Sequence, residues 1–354
     1  MKLVIFGLTV SSSWGNGHAT VWRALLAALH ERHHRIVFFE ADVPYYAEHR
    51  DLREPEFAAL HLYSSWESVV ERANLELADA DVAVISSYCP HARQAAQIVL
   101  SSEARVRVFY DLDTPVTLNQ SLTDRWPAYL PPNGLGDFDL VLSFTGGPAL
   151  QELRNRLGAR RVSPLYGSVD PTLYRPVASA AKYRCDLSYL GTYAADRQHA
   201  LERLFVDAAQ LLPMSRFLLG GSLYPPWFPW KPNIWHVSHV SPEEHPRFYC
   251  SSKATLNVTR GVMAEMGYCP SGRLFEAAAC GTLILSDDWG GMDQFFAPGG
   301  EILIVKDADE VVEALSLSEA ERSRIAKTAR ERALEYHTGS NRACEFERCI
   351  SEVI

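Results

Sequence analysis

Several short stretches of this sequence combine residue types that can do chemistry, and the most specific lies late in the chain. It runs from Tyr268 to Gly291, YCPSGRLFEAAACGTLILSDDWGG. Pro270, Ser271 and Gly272 form a turn, and a helix carrying Arg273 and Glu276 follows. Gly281 stops that helix, and the apolar run from Thr282 to Leu285 reads as a buried strand ending in Ser286, Asp287 and Asp288. A turn feeding a helix presents unpaired backbone N–H groups to an anion. An arginine in the first turn adds a guanidinium, and a glutamate one turn later can accept hydrogen bonds from a sugar diol. The bland alternative is a surface Arg273–Glu276 ion pair at i,i+3, of ~0.2–0.5 kcal/mol.

A second candidate follows the first strand. In SSSWGNGHAT, Gly15 and Gly17 let the backbone approach a ligand, and His18 stands at a helix N-terminus. The spacing is not that of a dinucleotide loop, because Thr20 stands where a third small residue is expected. His18 reads equally as a capping or solvent histidine and as a ligand contact at a strand's carboxyl end. Asp111-Leu112-Asp113 is the third candidate. Two aspartates two apart in an extended segment point the same way, so they could chelate a divalent cation. No third carboxylate accompanies them, which favours an acceptor-facing or general-base role for one, with a purely structural loop still open. Finally, Gly191-Thr192 ends a strand and Arg197 sits in the first turn of the next helix, a set of donors suited to phosphate.

These residues need a scaffold, and the pattern supplies one. Apolar runs at Lys2–Leu8, Arg35–Glu40, Leu60–Tyr63, Asp81–Ser86, Arg105–Tyr110, Phe138–Phe144 and Arg161–Tyr166 alternate with helical segments such as Ala19–Arg32, Glu67–Ala78 and Pro90–Leu100. That alternation predicts an α/β fold with a doubly wound parallel sheet. The grammar restarts at Asp186–Leu190, with strands at Ser215–Gly221, Ala254–Val258, Thr282–Leu285 and Glu301–Val305. Helices are predicted over Arg197–Leu211, Glu243–Cys250, Glu310–Leu315, Glu319–Tyr336 and Asn341–Val353. Between the halves lies YGSVDPTLYRP, a turn-rich boundary. The expected domains are therefore 1–168, with 338–354 packing back on it, and 175–337. Leu223–Trp235, rich in Trp and Pro, reads as a lid or a packed loop.

Bulk composition narrows the function classes. The 354 residues exceed what one core usually organises. A net charge of −9 without any basic cluster argues against nucleic acid as a partner. No run approaches the ~20 apolar residues of a membrane span. Seven cysteines without a Cys-x-x-Cys pair suggest reduced thiols and a cytoplasmic location.

Taken together, SSSWGNGHAT, YDLDTPVTL, YGSVDPTLYRP, LSYLGTYAADR and SGRLFEAAACG resemble the CgeB-like (spore-maturation type) group of GT-B glycosyltransferases, related to the group 1 retaining enzymes. The resemblance spans nearly the whole chain and implies two facing Rossmann-like domains with an interdomain cleft. It implies that a nucleotide sugar, most simply a UDP-sugar, binds on the second domain at Gly191, Thr192, Arg197, Arg260, Ser271, Gly272 and Arg273. Glu276 would take the ribose. Gly15 and Gly17 would close over the donor, and His18 and Asp113 would meet the sugar or the acceptor hydroxyl. Neither a metal nor another cofactor is implied. The family carries a further glutamate eight positions before Glu276, where this chain has Tyr268. The expected activity is hexosyl transfer to an unspecified acceptor hydroxyl. A sugar-nucleotide epimerase or hydrolase, a non-catalytic nucleotide-sugar binder and a Rossmann oxidoreductase are the rival readings.

Overall fold

The computed structural model describes residues 1–122 and 126–354. Its contacts divide the chain into two units, Met1–Gly167 with Gly339–Ile354, and Ser168–Thr338.

The first unit is built on seven strands: β1 (Lys2–Gly7), β2 (Arg35–Ala41), β3 (Ala59–Tyr63), β4 (Val82–Ser86), β5 (Val106–Asp111), β6 (Leu140–Ser143) and β7 (Val162–Pro164). They lie in the order β3-β2-β1-β4-β5-β6-β7, and every pairing is parallel. β1 is central, with Ile5 level with Phe38 on one side and Val84 on the other. Its unbroken apolar sequence follows from that position, since helices cover both faces of a parallel sheet. The helix Gly339–Ser351 belongs to this unit and packs on the helix His18–Glu31. Gly339 is required there, because a Cβ would strike the Ala24 carbonyl.

The second unit holds β8 (Cys185–Leu190), β9 (Phe217–Gly220), β10 (Ile234–Val237), β11 (Ser252–Asn257), β12 (Leu283–Ser286) and β13 (Leu303–Ile304). Their order is β10-β9-β8-β11-β12-β13, again all parallel. Leu187, Leu219, Leu256 and Leu285 from neighbouring strands share one buried core with Leu204, Phe205 and Ala208 of the overlying helix. The Trp/Pro-rich segment is a packed loop that ends in the edge strand β10. Asn233 pins the entry to that strand, its amide donating to the carbonyls of Ala209, Leu212 and Ser215.

In each sheet the strand order reverses once, between β1 and β4 and between β8 and β11. Loops leaving the carboxyl ends of those strands diverge there and leave room for a ligand. Among the described residues, no helix is long and apolar enough to cross a membrane.

Candidate functional site

The loop after β1 begins with an anchor. Glu40, fully buried at the end of β2, accepts from the Thr9 hydroxyl at 2.9 Å and the Ser11 hydroxyl at 2.5 Å, and from the backbone N–H groups of Val10 and Ser11 at 2.7 and 3.0 Å. The chain then swings through Gly15, whose φ of +67° lies in the left-handed region; a Cβ there would sit 2.5 Å from the Tyr45 hydroxyl. Asn16 accepts from Ala19 N–H at 3.2 Å and so caps the helix that Gly17 precedes. His18 is the first residue of that helix. Thr20 donates back to the Gly17 carbonyl at 3.0 Å.

His18 and Asp113 are brought together from the ends of β1 and β5. His18 Nε2 lies 2.7 Å from Asp113 Oδ2, which also accepts from the Ser87 hydroxyl at 3.3 Å. His18 is therefore neither a simple cap nor a solvent histidine. Its Nδ1 is buried without a hydrogen-bond partner.

The chelating arrangement, the alternative to an acceptor-facing or general-base role for Asp111 and Asp113, does not form. Extension ends with β5 at Asp111, Asp113 precedes the helix Thr114–Ser121, and the two carboxylates go to different partners. Asp111 Oδ1 accepts from Asp113 N–H at 3.1 Å and from the Thr117 hydroxyl at 2.9 Å inside the core. Burial, then the neighbouring Asp113 charge, pushes the Asp111 carboxyl up to about 7. Among the described residues there is no group of three or more His, Cys, Asp or Glu side chains that could hold a metal ion.

In the second unit the candidate residues converge on the turn after β8. A Cβ on Gly191 would lie 2.6 Å from Arg273 Nη1, 2.8 Å from the Tyr189 hydroxyl and 3.1 Å from Arg197 Nη1. Arg197 donates to the Tyr189 hydroxyl at 3.1 Å and to the Thr192 carbonyl at 3.2 Å. Arg273 donates from Nε to the Ser271 hydroxyl at 3.0 Å and from Nη1 to the Leu190 carbonyl. Neither guanidinium is ion-paired with a carboxylate among the described residues. Burial alone would raise the Tyr189 hydroxyl, yet the charges of Arg197 and Arg273 bring it below its ordinary value. The local field is thus strongly positive.

The helix Gly272–Ala279 is open at its start. Its cap residue Ser271 makes no side-chain bond to the helix backbone, and the space beside Gly272 is empty for at least 4 Å. Arg260, also expected near phosphate, sits at the edge of this cluster, with its Nε 3.1 Å from Asp196.

Glu276 faces inward and does not pair with Arg273. Its Oε2 accepts from the Tyr249 hydroxyl at 3.2 Å and lies 3.4 Å from His245 Nδ1. Burial opposes its charge, but His245, Tyr249 and Arg273 outweigh burial and hold the carboxyl below the usual range. Tyr268 adopts φ +52° and its ring lies on Gly291, where any Cβ would enter the ring. Tyr249 and His245 carried no motif, and Tyr189 lay within LSYLGTYAADR without being singled out; the fold brings them beside the arginines.

Comparisons with known proteins agree with this architecture. Residues 197–348 match a family model described as glycosyl transferase-like. No curated protein matches the sequence. Among solved structures, sucrose-phosphate synthase from Thermosynechococcus elongatus is similar at TM-score 0.71 and 14% identity, covering 99% of this chain and 98% of that one. HepE of Anabaena, solved with UDP-glucose, is similar at TM-score 0.67 and 13% identity, over 99% and 100% of the two chains. An alpha-glucosyltransferase solved with UDP-glucose and DNA containing an abasic site is similar at TM-score 0.72 and 14% identity, over 99% of each chain. The chain has the GT-B fold, and within it residues 197–348 are similar to the glycosyl transferase-like family.

Proposed function

We propose that the chain transfers a hexosyl group from a nucleoside diphosphate sugar, a UDP-sugar, to an acceptor hydroxyl. The observation that carries this reading is the convergence of Arg197 and Arg273 on Gly191, with no carboxylate partner among the described residues, beside an open helix N-terminus. Two guanidiniums that share no carboxylate among the described residues favour an anionic ligand, and a diphosphate offers oxygens for both. UDP-glucose in two structures of the same fold supports the choice of donor. Within this fold the motifs SGRLFEAAACG and YDLDTPVTL favour the CgeB-like group.

In this reading the guanidiniums and helix N-terminus, rather than a metal ion, neutralise the leaving group. Glu276 Oε2 is taken by Tyr249 and His245, so Oε1 is the oxygen assigned to the ribose. The acceptor oxygen forms its bond to the anomeric carbon as the bond from that carbon to phosphate breaks. The electron pair leaves with the nucleoside diphosphate, and the hydroxyl proton passes to the Asp113 carboxylate that His18 orients.

Calorimetric titration with UDP-glucose tests the donor assignment. Binding is expected, weakened at least tenfold in Arg273→Ala. Absence of heat with UDP-, GDP-, ADP- and dTDP-glucose alike overturns it.

A further inference from the structure

The loop after β4 contains a feature that donor binding does not use. Tyr88 adopts φ +58°, a conformation that glycine or asparagine takes far more easily than a bulky side chain. Strain of this kind persists only where surrounding contacts hold it. Here Ser87, one residue earlier, accepts from Leu112 N–H at 3.0 Å and donates to Asp113 at 3.3 Å. The Tyr88 ring packs at 4.8 Å from Tyr129 and stands nearly perpendicular to His18, 6.1 Å between centroids. It remains 38% exposed. The turn thus fixes a hydroxyl under Asp113 and an exposed phenol ring beside His18. Packing on Tyr129 and His18 holds the ring in place and still leaves part of it open to solvent.

A ligand for this corner must satisfy two kinds of group. The phenol offers a flat face with negative charge density, which attracts C–H bonds. His18 Nδ1 is buried without a partner, and the side chain of Asp113 is 17% exposed; both seek hydroxyl groups. A pyranose ring has an apolar C–H face and a rim of hydroxyls. A plain aromatic alcohol would stack but leave the polar groups unanswered.

We propose that the acceptor is a glycoside and that Tyr88 is its stacking residue, with the reacting hydroxyl directed to Asp113 and His18. This rests on the glycosyl-transfer reading and adds to it the chemical class of the acceptor.

The test uses the full chain with UDP-glucose and two acceptor sets, methyl glycosides and disaccharides in one, simple phenols in the other. Transfer to at least one glycoside is expected. Tyr88→Asn, which suits the left-handed backbone, should raise the acceptor KM tenfold or more with an unchanged melting temperature and unchanged UDP-glucose affinity. Tyr88→Phe, which keeps the ring, should stay within threefold of wild type. Transfer only to phenols, or an acceptor KM indifferent to Tyr88→Asn, overturns the proposal while leaving the donor assignment intact. Failure of wild type to bind any nucleoside diphosphate sugar overturns both.

Discussion

His18 Nε2 and Asp113 Oδ2, 95 positions apart in sequence, meet at 2.7 Å at the carboxyl ends of β1 and β5. If this pair receives the acceptor proton, Asp113→Asn keeps the shape of the site and loses the base. The transfer rate should fall by ~10²–10⁴-fold, with UDP-glucose affinity held within twofold. A rate within threefold of wild type would remove Asp113 from the chemistry.

Gly191 should not tolerate a side chain. Gly191→Ala places a Cβ against Arg273 and the Tyr189 hydroxyl, so the guanidinium must leave its position at the turn. UDP affinity should drop by about the ~1.5–3 kcal/mol typical of a charged hydrogen bond, measurable by calorimetry. The equivalent substitution at Gly272, whose surroundings are open, should cost less.

Asp111 makes stability depend on pH. Its folded value of about 7 exceeds the 3.8 of an ordinary aspartate. The folded state therefore keeps a proton that the unfolded chain releases, and the group's contribution is full below about pH 4 and lost as pH rises toward 7. Urea midpoints for wild type should fall over that window. Asp111→Asn should flatten the slope; an unchanged slope would show that the carboxyl is ionised in the fold.

Gly291 and Tyr268 hold each other in place. With φ +83° and a tyrosine ring on its α-carbon, Gly291→Ala should destabilise the fold by ~1–3 kcal/mol and weaken donor binding with it. Tyr268→Gly relieves backbone strain at φ +52°, so comparison of the two melting temperatures separates strain from packing.

Much of this architecture was legible in residue pattern. LVIF in β1 and LILS in β12 are buried on both faces, and such strands announce themselves. The short edge strand β10 did not, because Pro and Trp around it signal loop and Asn233 does its work through distant carbonyls. The helix Pro148–Leu157 was missed although its leading proline is a start signal. In the candidate site, Ser271, Gly272 and Arg273 stand at a turn and helix start as their motif predicts, since that placement depends on local backbone. Tyr189 looks like any strand residue until β8 and the helix Gly272–Ala279 are neighbours. For the aspartate pair the residue pattern left chelation open beside an acceptor-facing role, because it does not show that the strand ends at Asp111 and that the two side chains part there.

The engagement of Glu40 has a consequence for how the two sheets differ. In a Rossmann sheet that reads dinucleotides, an acid of this kind binds the ribose hydroxyls. Here both Glu40 oxygens are saturated by Thr9, Val10 and Ser11, and the side chain is sealed from solvent. The first sheet shares the wound topology, and the acid at this position serves as an internal brace. With both oxygens occupied, Glu40 has no free acceptor for a ribose diol, so a third glycine in the preceding loop would not by itself create a dinucleotide site.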